Sequence, residues 1–481
     1  MFFATTHLST SDWIEFYLSA KPPSSNLNNT MLQLRVIPLF FLLTLPLVAR
    51  VEGQQLHSAK NWTRFRGADG TGVVADDPRL PDTWDRKKNV KWSVEVPGWG
   101  WSSPVVWGDK VFVTSVINEE KVETPKAGLY LGRGRKDPPQ GVHIWNVYCL
   151  DLNSGKKLWE KTVHKGQPTF PRHPKSTFAS ETPVVDGERL YVLFGDLGLF
   201  CFDHDGKRLW EKKIEAKETF WDYGAAASPV IHKDQLIMVY DNQEKSYMAA
   251  YDTRSGEEKW RTPRDEKSTW ATPFIWTHPG RTEIVLCGKN RNRSYDLQGK
   301  LLWEFDGKMS NLVIPSPFAV NGLLYISSGY FQDRNKPIIA IKPGAKGDIS
   351  LKEGETSNQH IAWFLPRSGP YNTSPIVYKG MLWTLLDRGF LTLNDALTGE
   401  EIYGRIRFKR SMSFTASPWA YNGKVFFLDE KGRTVVIKAD KQYKEIRVND
   451  LGELCCATPS IADGNLLIRT ASRIYCISNQ K

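Results

Sequence analysis

Eight Ser-Pro or Thr-Pro pairs open apolar strands in this sequence, and shortly before each stands a side chain able to hold a ligand. In chain order these are Trp101, Glu181, the run Trp221, Asp222 and Tyr223, then Trp270, Asn311, Tyr371 with Asn372, Phe414, and the pair Cys455 and Cys456. Aromatic walls carrying a few polar heads make a site for a small ligand, a sugar or a peptide. Other chemistries lack their residues. No two His stand at a spacing that would bind zinc. No Gly-rich loop precedes a helix to cradle phosphate, and no Ser lies in a nucleophile elbow.

What must bring such scattered residues together is repetition. The pairs end at Pro104, Pro183, Pro229, Pro273, Pro317, Pro375, Pro418 and Pro459, and each opens an apolar run. Most runs lead through a short turn such as "WGDK" or "YNG" into a second strand, then a third such as "VYCLDL" or "IYCIS". A Gly turn then leads to a fourth, as in "NSGKKLWEK" and "HDGKRLWEK". Alternation over four to six residues dominates, and no helical period lasts three turns. Units of roughly 40 to 45 residues with four strands each are propeller blades. Pro suits the first position of an inner strand because it cannot donate to the ladder. The Trp of most fourth strands, replaced by Tyr403 in the sixth unit and by Ile446 in the seventh, is expected to wedge between neighbouring blades.

The last unit ends at "RIYCISNQK" without a fourth strand, whereas "NVKWSVEVPG", residues 89–98, is a fourth strand with no unit before it. Pairing the two removes an open sheet edge. The expected fold is therefore all-β, a single eight-bladed propeller over residues 89–481 in which the strand around Trp92 completes the last blade. In such a meander the connections from strand two to three, and from one blade to the next, share a face. The long segments fall there: 117–146, 161–180, 220–227, 329–337 and 366–374. That face is where binding is expected, and the residues named above should ring its funnel mouth.

Ahead of the propeller, residues 31–53 have the layout of a secretory signal, with Arg35 before an apolar stretch from Val36 to Val48 that is short for a bilayer span. Residues 1–30 are expected to precede the true start, and 54–88 to form an N-terminal extension. The expected product is exported, periplasmic or extracellular, with no transmembrane segment once the signal is removed. Six Cys permit disulfides in that setting, but Cys149, Cys201 and Cys476 occupy third-strand positions that take Ala250 and Ser294 elsewhere, and are expected to be buried fillers. The net charge is +11, with basic clusters at 133–136 ("RGRK") and 289–293 ("KNRNR"). Such patches are most simply a solvated basic face; as binding surfaces outside the cell they would point to anionic envelope polymers, acidic glycans or acidic proteins and not to nucleic acid.

The units "LDLNSGKKLWE" and "YDTRSGEEKW" and the segment "NWTRFRGADGTGVV", residues 61–74, resemble the pyrroloquinoline-quinone (PQQ)-like repeat propellers, over roughly residues 61–478. The resemblance implies one of two roles. The first is a non-enzymatic envelope scaffold, like that of the outer-membrane assembly machine, which presents its loop-rich face to a protein or small-ligand partner and needs no cofactor. The alternative is a quinoprotein dehydrogenase holding PQQ and calcium. That would imply Glu181, Asn311 and Asn372 as oxygen ligands of calcium, Asp222 as base, Arg334 or Arg388 near the quinone, and a disulfide between adjacent Cys. The Cys455–Cys456 pair lies in the last blade instead of early in the chain, and the bulky insertions of alcohol-oxidising members are missing. The scaffold role is therefore the expected one.

Overall fold

The computed structural model describes residues 59–120, 125, 127–130, 137–409 and 412–479. The expected signal at 31–53, the segment 1–30 and the basic cluster 133–136 lie outside them. Eight antiparallel sheets follow one another, seven with four strands and one with five. Blade one is Val105–Trp107, Lys110–Asn118, His143–Asp151 and Lys157–Gly166. Its outer strands run further than the sequence pattern suggested, because alternation continues through "HIWNVYCL". The fifth strand, Gly347–Asp348, was not expected; it pairs in parallel with the edge of blade four at Trp303 and Glu304.

The ring closes as its unpaired strand demanded. Val90–Glu95 pairs antiparallel with Arg473–Ile477, setting Trp92 opposite Cys476. The Arg473 guanidinium fastens the seam to Ser93 Oγ and Glu95, both at 3.0 Å.

The repeated Asp-to-Gly turn and the Trp are two halves of one contact between blades. Asp151 Oδ1 accepts the N–H groups of Asn153 and Ser154, which tightens the turn so that Gly155 adopts φ +74°. A Cβ on Gly155 would stand 2.7 Å from the Trp92 ring of the preceding blade, so only Gly lets the turn cover the indole. Trp92 Nε1 donates to Leu152 O in that same turn at 2.8 Å. Trp159, Trp210, Trp260 and Trp363 repeat this bond to the carbonyls of His204, Thr253, Leu297 and Ala396. Each small third-strand residue stands opposite a Trp, Cys149 facing Trp159 and Cys201 facing Trp210, which makes room for the ring. Blade four departs: Trp303 Nε1 turns to the buried carboxylate of Glu283 at 2.8 Å.

Around the axis, the Ser or Thr before each Pro makes a second ring. Ser103 N–H donates to Thr182 Oγ1, Thr182 N–H to Ser228 Oγ, and so on through Thr272, Ser316, Ser374 and Ser417 to Thr458, seven bonds of 2.9–3.1 Å. The chain-end seam is spanned differently. Arg469 of blade eight, buried, reaches Ser102 Oγ at 2.7 Å and Thr114 O at 2.7 Å in blade one.

Residues 61–74 are part of the ring's interior. Trp62 bridges to Val106 of blade one and Val73 to Ala420 of blade seven. Between them Thr63 O accepts Val185 N–H, Arg64 covers Phe274, and Arg66 covers Phe318 while donating to Pro375 O at 2.6 Å. The segment thus touches the inner strands of six blades and crosses the axial channel as a plug.

Candidate functional site

A cavity of about 230 Å³ occupies the funnel on the loop-rich face. Its floor is the hydroxyl ring from Thr182 to Thr458 together with Phe65 of the plug. Each ring oxygen accepts a backbone N–H from the neighbouring blade, which leaves its own O–H free to donate. The walls are Trp101, Tyr130, Tyr223, Trp270 and Tyr371. Trp101 Nε1 is fixed on Lys175 O and Trp270 Nε1 on Gly224 O, both at 2.7 Å, so both rings are held rigidly. Burial pushes the Tyr223 hydroxyl up to about 12, keeping it a donor.

Two loops of blade one arch over this funnel. Gly128 to Tyr130 come from the long connection between its second and third strands, and His173 to Ser176 from the passage into blade two. They are tied to the far side by Glu430 of blade seven. Lys175 Nζ lies 2.8 Å from Glu430 Oε1 and 2.8 Å from Gly128 O. Gly128 N–H donates to Glu430 Oε2 at 2.7 Å, and Thr415 Oγ1 to Oε1 at 2.7 Å. Both charged groups are buried, Glu430 at 1% exposure. His173 packs edge-on against Tyr130 and Tyr223, with ring centres 5.2 and 4.5 Å apart. Burial first, then Lys175 and Arg172, push its pKa down to about 4. It is therefore neutral at ordinary pH, and Nδ1 accepts the Lys175 N–H.

Of the residues placed at the mouth from sequence, Trp101, Trp270, Tyr371 and Asn372 line the cavity together, with Tyr223 and Cys456. Glu181, Trp221, Asp222, Asn311 and Phe414 are not in its lining. Glu181 turns away between blades two and three, where Oε1 accepts Gly195 N–H at 3.0 Å, and burial raises its pKa to about 8. Beside it Asp196 is raised to about 7, again by burial. Trp221 and Asp222 have φ of +53° and +59°, a bend that stacks Trp221 on Phe220 at 4.7 Å. Asn311 is held by Asp333, and Phe414 packs against Phe408. All six Cys have free thiols and are buried. The sequence missed Phe65, Tyr130, His173 and Lys175. They sit outside the repeat, and only the length of the loops pointed toward three of them.

The donor set for calcium and PQQ does not fit. A hard cation takes six to eight oxygens, carboxylates among them, whereas the described lining contains no Asp or Glu. Of the three expected calcium ligands only Asn372 reaches the cavity, and the expected base Asp222 is not in its lining. No group of three His, Cys, Asp or Glu suited to a metal occurs among the described residues. A quinone bearing carboxylates would also want cations, and the lining's one ammonium, Lys175, already serves Glu430.

Residues 145–330 and 244–481 match the family described as outer membrane protein assembly factor BamB. Among solved structures, BamB from Moraxella catarrhalis is similar with 12% identity and a TM-score of 0.52, over 81% of this chain and 98% of that one. A quinohemoprotein alcohol dehydrogenase from Comamonas testosteroni has 12% identity and a TM-score of 0.56, over 87% and 80%. A europium-containing methanol dehydrogenase has 9% and 0.54, over 87% and 98%. At such identities the likeness establishes the fold alone. No curated protein matches the sequence.

Proposed function

This chain belongs to the family of the outer membrane protein assembly factor BamB, and from that premise we propose that it is an exported binding protein of the cell envelope. Its axial funnel takes a small uncharged ligand of the saccharide class. One observation carries the reading: the funnel is plugged below, latched above and lined with aromatic faces over a floor of hydroxyls, with no carboxylate in the described lining. A sugar ring offers an apolar face to Trp270 or Tyr371 and hydroxyls to the floor. Export follows from the apolar stretch at Val36–Val48. Among the described residues no helix is long and apolar enough to cross a membrane.

The test is calorimetric titration of the full chain with a panel of neutral mono- and oligosaccharides, followed by melting. Binding that raises the melting temperature, and is lost in Trp270→Ala and Tyr371→Ala, is the expected result, since a ligand of the folded state must stabilise it. Stabilisation by PQQ with calcium, and by no sugar, would overturn the reading.

A further inference from the structure

We propose that the rim of blades five and six carries a second binding site, for the anionic group of an acidic saccharide, built from Arg334, Lys336, Arg367 and Arg405. The four side chains line one open cleft of about 380 Å³. They come from the loop between strands two and three of blade five, from the passage into blade six, and from the outer strand Glu401–Arg407. Nothing in the linear sequence groups them.

The cleft has an unbalanced charge. None of the four cations forms an ion pair among the described residues. The one carboxylate lining it, Asp333, is held by neutral Asn311 through N–H at 2.5 Å and Nδ2 at 2.7 Å, and its single negative charge still leaves the cleft strongly positive. The contrast with the cluster at 289–293 is direct. There Arg291 pairs with Asp348 at 2.8 Å, and Arg293 with Asp265, Glu266 and Glu304 at 2.7–3.1 Å, so both guanidinium charges are spent within the fold. Like charges gathered in one cleft repel, and a bound anion relieves that repulsion. Guanidinium forks are shaped for the paired oxygens of carboxylate, sulfate or phosphate.

The array is held, not draped. Lys336 N–H donates to Pro366 O at 3.0 Å and Gly369 N–H to Lys336 O at 2.7 Å, so the two loops are joined backbone to backbone. They lie so close that a Cβ on Gly329 would stand 2.0 Å from Gly369 O, and one on Gly369 2.1 Å from Ser328 O. Arg405 Nη2 reaches Arg367 O at 3.4 Å, which draws in the edge of blade six.

An aromatic ledge adjoins the cleft and favours a saccharide over an acidic peptide. Lys336 Nζ donates to Phe331 O at 3.0 Å, and half-buried Phe331 packs on Tyr330 and Tyr371, with Trp221 beyond. Ring faces beside cationic forks suit a sugar whose substituent is charged. The ledge lies between this cleft and the funnel, and none of the four cations lines the neutral pocket.

Titration of the full chain with chain-matched carboxylated, sulfated and phosphorylated oligosaccharides, neutral dextran oligomers and poly-glutamate tests the inference. At least one acidic saccharide binds, more weakly as salt rises, and the strongest of the three names the anion. The double variant Arg367→Ser, Arg405→Ser loses at least tenfold. Arg334→Ser, at an exposed position, repeats the loss on a smaller scale should the double variant melt early. Binding of poly-glutamate or dextran as tight as that of the best acidic saccharide, affinity unchanged in the variants, or no binding by any acidic saccharide overturns it.

Discussion

Replacing Glu430 by Gln keeps the shape of the latch and removes its charge. Lys175 then keeps its place beside Gly128 O with no carboxylate to balance it. Stranding one member of a buried pair costs about 3–5 kcal/mol, whereas replacing both with uncharged groups is often close to neutral. The double variant Glu430→Gln, Lys175→Met should therefore recover most of the loss, a coupling of roughly 2–3 kcal/mol. The loss is felt locally. The loops joined by Glu430 are otherwise held by a few bonds, among them Trp101 Nε1 to Lys175 O and His173 N–H to Tyr223 O at 3.2 Å. Opening the arch is easier than unfolding the ring, so the population of open arch rises by about two orders of magnitude for 3 kcal/mol. Hydrogen exchange at the Gly128 and Lys175 amides reads that rise, and urea melts of the two singles and the double complete the cycle. Equal costs for Glu430→Gln and the double variant, or amide exchange unchanged in Glu430→Gln, would refute the latch.

Three further perturbations bear on the frame. Because native Glu181 holds its proton up to about pH 8 while the unfolded carboxylate releases it near the ordinary value, the native state binds more protons in between. Stability should fall as pH rises across that window, by at most roughly 5 kcal/mol from this group; Glu181→Gln should flatten the thermal-melt profile from pH 5 to 9, with Asp196 leaving a residual slope. Gly256→Ala puts a Cβ 2.7 Å from the Trp210 ring at φ +73°, and should cost about 2–4 kcal/mol in urea denaturation. Trp92→Ala removes a buried ring and its bond to Leu152 O at the seam; a loss of about 3–5 kcal/mol is expected, and exchange protection should fall first along Arg473–Ile477.

The ring was legible because each blade states it again. Eight Pro residues, a Trp in most fourth strands and a Gly after an Asp turn fixed the number of blades, and the orphan strand around Trp92 fixed the closure. What the Gly does for the Trp of the preceding blade could not be read, since it is a contact between successive units and no single unit contains it. Trp101, Trp270, Tyr371 and Asn372 were legible as residues lining the axial cavity because inner strands place whatever precedes them at the axis. Glu181 and Asn311 occupy equivalent positions but found local partners, Gly195 N–H and Asp333, that rotate them out of the funnel. The latch was hidden for another reason. Lys175 and Glu430 stand 255 residues apart in loops that no repeat constrains, and Phe65 lies in a segment that reads as an extension until its bonds to six blades are seen. Charge misled most: "KNRNR" is the conspicuous cluster, yet the fold pairs both of its arginines with carboxylates.

Funnel and rim differ in charge, and that difference would sort their ligands. An anion brought into the funnel would give up its water for hydroxyl donors and a lysine already engaged by Glu430. A charge buried without a partner is strongly opposed. At the rim the same anion keeps part of its hydration and meets four unpaired cations. A saccharide with one charged unit could therefore rest its anionic substituent on Arg367 and Arg405 while a neutral ring crosses the ledge of Phe331 and Tyr371 toward Trp270. If so, a mixed oligosaccharide should bind more tightly than either pure type, and Tyr371→Ala should erase that advantage while leaving the purely acidic ligand bound. Additive affinities in the native chain would mean that the two sites act apart.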